Sequence, residues 1–168
     1  MKIVVISDSH WNSEAIGLIR KKETADVYVH CGDYELPEEA LEGWIAVAGN
    51  MDDARKMPME QELRAEGLSI LIKHGHDVIS GRDPDYRALA GYASGYDAVL
   101  FGHTHVYYDN TVLGVRLLNP GSVFRNRDGS PAGYMVLNIE NRTIHAEKKL
   151  LLDLLLCESN GQSEAGGV

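Results

Sequence analysis

Apolar and β-branched residues gather into five short unbroken runs, at 3–6, 27–29, 44–48, 70–72 and 98–101, each followed by a polar segment. Unbroken rather than alternating hydrophobicity marks strands covered on both faces, as in a parallel sheet flanked by helices. The intervening stretches carry the helix signals that such a sheet needs. Asn12 or Ser13 can cap a helix that buries Ile16 and Ile19 and holds Arg20, Lys21 and Lys22 near its negative end. Pro37 opens a short helix over 37–41. Asp83 then caps and Pro84 starts a further helix, with Tyr86, Leu89, Ala90 and Ala93 on one face and Gly95 just past its end. Residues 53–62 read as a polar connection.

Beyond residue 105 the pattern changes to hairpins. One pairs 106–112 with 115–118 around a turn near Gly114; another pairs 134–139 with 143–146 across Glu140-Asn141-Arg142. Strand–helix alternation followed by hairpins predicts an α/β protein, a two-sheet β-sandwich with helices outside. The turn Asn119-Pro120-Gly121-Ser122 lies between the hairpins. The leucine-rich stretch 150–156 ends the last strand, docks as a helix or covers a neighbouring copy, so a homo-oligomer stays open. Residues 1–157 are expected to form one domain, and the small, polar residues of 158–168 a disordered tail.

The five runs end in Asp8 and His10, Asp33, Asn50, His74, and His103 and His105 respectively. In open α/β sheets, ligands bind beyond the carboxyl ends of the strands, so these groups can converge on one crevice. The pair His103-Thr104-His105 leaves its strand with a spacing that aims both rings the same way, offering two neutral nitrogens to a metal.

Charge narrows the partners. Sixteen basic against 25 acidic residues give a net of −9, which disfavours extended nucleic acid. A small anionic substrate then needs local positive charge, which bound metal ions supply. Two cysteines, Cys31 and Cys157, make no disulfide framework, and no run reaches the length of a membrane span. A cytoplasmic protein without a membrane partner is expected.

The series Asp8-x-His10, Gly32-Asp33, Gly49-Asn50, His74-Gly75 and Gly102-His103-Thr104-His105 resembles the calcineurin-like metallophosphoesterase superfamily, over about residues 1–125. His74-Gly75-His76 and Asn119-Pro120-Gly121-Ser122 are similar to segments of its small bacterial and archaeal phosphodiesterases. The resemblance implies the α/β/β/α fold of that superfamily and two divalent ions. Asp8, His10 and His105 would bind one ion, Asn50, His74 and His103 the other, and Asp33 would bridge them. Two cations about 3.5–4 Å apart need a shared anionic oxygen, and the water between them becomes the attacking hydroxide. Imidazole with carboxylate suits manganese, and also nickel, cobalt, iron or zinc, better than magnesium. The implied reaction is hydrolysis of a small phosphodiester.

One position departs from the wider pattern. The superfamily often follows its Gly-Asn turn with a histidine that protonates the leaving group and an aspartate that orients it; here Met51-Asp52 follow Asn50. A thioether can do neither job. His76 is the candidate substitute acid, with orientation of a metal ligand as its alternative role; His30 and His145 read as structural. A phosphomonoesterase, or a metal-binding scaffold such as the retromer subunit of the same fold, are the competing functions.

Overall fold

The computed structural model describes residues 1–161, with side chains as far as residue 156. In chain order the elements are β1 (Lys2–Ile6), α1 (Ser13–Lys22), β2 (Val27–His30), a 3-10 turn (Glu38–Leu41), β3 (Ile45–Ala46), β4 (Glu60–Ala65) and β5 (Leu68–Lys73). They continue with α2 (Tyr86–Tyr92), β6 (Ala98–Leu100), β7 (Tyr107–Val112), β8 (Val115–Pro120), β9 (Gly133–Glu140), β10 (Thr143–Leu150) and α3 (Leu151–Gly161). Two mixed sheets result, ordered β10-β9-β1-β2-β3 and β4-β5-β6-β8-β7.

The apolar runs have two buried faces because each sheet is covered on both sides. Ile3 and Val5 of β1 meet Ile70, Ile72 and Leu100 of the second sheet in the core between the sheets. Val4 and Ile6 point the other way, into a cluster with Ile16 and Ile19 of α1 and, at its margin, Leu151 and Leu154 of α3. On the far side, Leu71 and Val99 pack with Leu89 and Ala90 of α2. The layers are therefore helix, sheet, sheet, helix, as the run pattern predicts. No helix among the described residues is long and apolar enough to cross a membrane.

The hairpins do not form a sheet of their own. β9 pairs antiparallel with β1, and β8 pairs parallel with β6, so each sheet joins early strands to late ones. Three hairpin turns place two successive residues in the left-handed region: Glu66 with Gly67, Leu113 with Gly114, and Asn141 with Arg142. That twist matches the strands on either side.

Two local expectations change. The last three residues of the segment read as a connection, 60–62, belong to β4, which pairs with β5. Its Glu60, Glu62 and Arg64 alternate outward on a sheet edge, where charge guards against further pairing and hides the strand from a hydrophobicity reading. α2 is capped by Asp85 rather than Asp83: the Asp85 Oδ1 accepts from the N–H groups of Arg87 and Ala88 at 3.0 and 3.2 Å. Pro84 thus precedes the cap instead of opening the helix. Two of the three alternatives at 150–156 combine, since Leu150 closes β10 and Leu151 opens α3. Of the expected tail, 158–161 continue α3 in the backbone and 162–168 lie outside the described residues.

Candidate metal centre

The parallel strands of both sheets release their chains at one edge of the sandwich, and hydrogen bonds lace those exits together. The N–H of Asp8, after β1, donates to Gly32 O at 3.0 Å, and that of His10 to Asp33 O at 3.1 Å. From the other sheet, the N–H of Gly102 donates to His74 O at 3.1 Å, and that of His103 reaches across to Asp8 Oδ2 at 3.2 Å. Asp8, His10, Asp33, His103 and His105 all have positive φ, between 40° and 66°. Side chains rarely adopt that backbone, and residues held there concentrate at functional sites. The glycines beside them permit close approach: a Cβ at Gly49 would fall on Asp33 Oδ1, and one at Gly102 on Ser7 Oγ.

Asp8, His10, Asp33 and His105 converge so that one ligand atom from each lies within 4.8 Å of the others. His74 adjoins them, its Nε2 3.4 Å from Asp33 Oδ2 and 3.9 Å from Asp8 Oδ1. The His103 and His76 rings lie 5.3 and 5.4 Å from that of His74, and 6.2 Å from each other. Asn50 is exposed in the turn whose next residue, Met51, donates its N–H to Asp33 Oδ1 at 2.9 Å. All seven sequence candidates for metal therefore lie on the loops of this edge, with four in direct convergence.

Three of the histidines are held in one tautomer. His10 Nδ1 lies 2.5 Å from Glu35 Oε1, His74 Nδ1 2.7 Å from Cys31 O and His105 Nδ1 3.0 Å from Arg125 O. Carbonyl and carboxylate oxygens accept, so each Nδ1 donates outward and each Nε2 faces the cluster. The His10 and His105 Nε2 atoms are only 3.2 Å apart, and Asp8 Oδ1 lies 3.1 Å from the latter. Asp8 Oδ1 and His74 Nε2 are buried with no hydrogen-bond partner among the described residues. Acceptors facing acceptors in a buried space suit a cation, because unpaired buried polar atoms are otherwise costly.

Electrostatics points the same way. Burial pushes Asp8 up, but His105 and His74 outweigh it and hold the carboxyl below the usual carboxylate range. Asp33 falls to about 2, burial being overcome by His74 and the Met51 N–H. His103 drops to about 4, chiefly by burial and then by the nearby His74. Two ionised carboxylates amid imidazoles make a good set for a divalent ion of the first transition row.

Some contributors carry no signal in sequence spacing. Glu35, which fixes His10, lies two residues beyond Asp33 and looks like an ordinary loop glutamate. The carboxylate of Asp52 accepts from the N–H groups of Gly49 (2.8 Å), Asp33 (2.7 Å), Tyr34 (3.1 Å) and Glu35 (2.9 Å), tying the β2 and β3 exits together. Sequence order alone would place Asp52 to orient a ring at position 51; the structure corrects this, because its oxygens already serve the backbone. Ser122, in the turn between the hairpins, donates from Oγ to Asp8 O at 2.7 Å, and Asn119 Nδ2 to Gly102 O at 2.8 Å. That turn is a buttress of the site. His30 is buried and bonds to Ser9 Oγ and the Gly32 N–H, with burial lowering it to about 3, while His145 is exposed on β10.

Glu35→Gln keeps shape while removing the charge that polarises His10, and loss of such an orienting partner lowers metal affinity by about 10- to 100-fold. A chelator-competition titration of the variant is expected to show a loss of that size. An unchanged dissociation constant would assign Glu35 to loop structure alone.

The comparisons with known proteins agree with this geometry. Residues 1–142 match the model of the calcineurin-like phosphoesterase superfamily domain. The probable metallophosphoesterase YsnB of Bacillus subtilis (strain 168) is 35% identical over 150 residues, covering 84% of this chain and 86% of that relative. Among solved structures, a conserved Streptococcus pneumoniae TIGR4 protein described as a predicted phosphoesterase superposes with a TM-score of 0.81 at 26% identity, covering 89% of each chain. Vps29 of Entamoeba histolytica complexed with zinc has the same fold, with a TM-score of 0.68 at 21% identity over 90% of this chain and 99% of that one. With its carboxylates and histidines gathered at the strand exits and a family match over most of its length, the chain belongs to the calcineurin-like phosphoesterase superfamily of metal-dependent hydrolases.

Proposed function

We propose that the chain is a phosphodiesterase working with two divalent ions, manganese foremost, with nickel, cobalt, iron or zinc as substitutes. The observation that carries this reading is the shared orientation of His10, His74 and His105, each with Nδ1 committed to a protein oxygen and Nε2 aimed into the cluster. Asp8, His10 and His105 would hold one ion; Asn50, His74 and His103 the other; Asp33 would serve both. The unpartnered Asp8 Oδ1 and His74 Nε2 are donor atoms available to that division, one in each set, and His74 Nε2 lies 3.4 Å from Asp33 Oδ2. Such ions, when bound, activate a water molecule near neutral pH and offset charge on the phosphoryl oxygens.

The protein's own groups set the rest. Asp33 stays ionised at any working pH and supplies anionic charge between the two donor sets. Position 51 supplies no proton, because the exposed Met51 has none to give. A diester with a good leaving group is therefore the favoured substrate. His76, whose buried Nδ1 has no hydrogen-bond partner among the described residues and whose ring lies 5.4 Å from that of His74, is an imidazole beside the cluster that could still assist departure.

The reading is tested by stripping metal with EDTA. The chelated protein is expected to keep its folded circular-dichroism signal, since the cores between and outside the sheets need no ion. Manganese added back should restore hydrolysis of bis-p-nitrophenyl phosphate, with activity rising until two equivalents are bound. Saturation at a single equivalent would overturn the two-ion reading, and loss of fold on chelation would make the metal structural.

A further inference from the structure

Against His10 and His105 opens a cleft of about 840 Å³, walled by Trp11, Phe124, Arg82 and Arg125. Its aromatic rings are exposed, Trp11 to 62% and Phe124 to 53%, although each packs near the His10 ring, at 6.2 and 5.9 Å between centroids. Trp11 also sits at φ 62°, where a bulky side chain is rare. Its backbone is pinned there, with its N–H on Tyr34 O at 3.1 Å and its carbonyl accepting from Ser13 at 2.8 Å. Phe124 is fixed as firmly: its N–H and that of Arg125 both donate to Ser122 Oγ, the hydroxyl that braces Asp8. Two large apolar faces are thus held in solvent by the same backbone that shapes the metal site, which core packing does not explain.

Charge reinforces the point. In a chain of net −9, three arginines line this cleft. Arg127 is used internally, its Nη1 donating to Gly81 O and His103 O at 2.9 and 2.8 Å, but Arg82 and Arg125 are exposed. Asp128, the acid of the lining, directs Oδ1 to Ser130 instead. The cleft thus offers aromatic faces and positive charge beside the groups proposed to hold the ions.

Resting on the diesterase reading, we propose that this cleft is a subsite for the nucleoside portion of a nucleotide phosphodiester, the base stacking on Trp11 and Phe124 and a further anionic group meeting Arg82 and Arg125. Base–aromatic stacking is tolerant of sequence and suits a single nucleotide, whereas the overall negative charge disfavours a long polyanion. The volume is in the range of small-ligand pockets.

Two esters with one leaving group test it: p-nitrophenyl thymidine 5′-phosphate and methyl p-nitrophenyl phosphate, assayed with the manganese-loaded protein. The thymidine ester is expected to have the higher kcat/KM by roughly 5- to 100-fold, mostly through KM, the span that stacking of a base supports. Trp11→Ala and Phe124→Ala should each shrink that ratio, and Trp11→Phe should retain most of it. Independently of turnover, adenosine 5′-monophosphate should quench the tryptophan fluorescence of the parent, and Trp11→Phe, which leaves Trp44 as the one tryptophan, should lose the effect. Equal kcat/KM for the two esters without quenching overturns the subsite and leaves the diesterase reading standing. Quenching with hydrolysis of neither ester overturns the diesterase reading and keeps the subsite. Quenching equally by inorganic phosphate would place recognition on the anion alone and also overturn the stacking proposal.

Discussion

Asp33→Asn is expected to lower hydrolysis of bis-p-nitrophenyl phosphate by about 10²- to 10³-fold, the share that several kcal/mol of charge stabilisation by metal represents. Metal content should fall at both sites together. In the proposed two-ion reading Asp33 is the shared carboxylate: it belongs to the converging group with Asp8, His10 and His105, and its Oδ2 lies 3.4 Å from His74 Nε2. Asparagine matches it in shape and can still accept the Met51 N–H through its carbonyl oxygen, so the β2 exit should hold. What disappears is a full negative charge between neighbouring cations, and their mutual repulsion is then unrelieved. Metal analysis by mass spectrometry alongside kinetics checks the result. A variant that carries two ions per chain and turns over at the parental rate would show that Asp33 joins nothing.

Most of this candidate site could be read from sequence because each candidate ligand lies within a few residues of the end of an unbroken apolar run. The run fixes a buried strand, the strand fixes the edge at which the chain emerges, and a histidine or aspartate placed there has little choice of neighbourhood. The helpers follow another logic. Glu35 reaches His10 only because the chain turns back through positive φ at Asp33 and again at Glu35 itself, a geometry with no composition signal outside glycine. Asp52 serves four backbone N–H groups from two separate loops, and that role depends on the β2 and β3 exits lying side by side. β4 stayed hidden for the opposite reason: its pairing is supplied by the β5 backbone, while its own side chains read as solvated.

The structure also changes what a histidine at position 51 can achieve. An enzyme without an acid for the leaving group should strongly prefer p-nitrophenyl diesters, whose leaving group departs unaided, over alkyl diesters. General acid catalysis is worth on the order of 10²- to 10⁴-fold, and the ratio of kcat/KM between aryl and alkyl substrates is expected to exceed the ratio of an acid-equipped relative by that much. From sequence, Met51→His would narrow the gap, with Asp52 orienting the new ring. With both oxygens of Asp52 occupied by Gly49, Asp33, Tyr34 and Glu35, that partner is not free, and diverting it would loosen the loops that carry Asp33. An imidazole at 51 would also begin from an exposed position, where Met51 is 54% accessible, with nothing to fix its tautomer or direction. Met51→His is therefore expected to narrow the gap by no more than about tenfold, short of the 10²-fold or more that a positioned acid supplies. The measurement is the aryl-to-alkyl ratio of kcat/KM in the parent, Met51→His and His76→Ala proteins. Full closure by Met51→His would mean that the ring finds its orientation without Asp52. A parent with no gap, together with loss of alkyl-ester turnover in His76→Ala, would instead make His76 the proton donor and leave position 51 without a part in the chemistry.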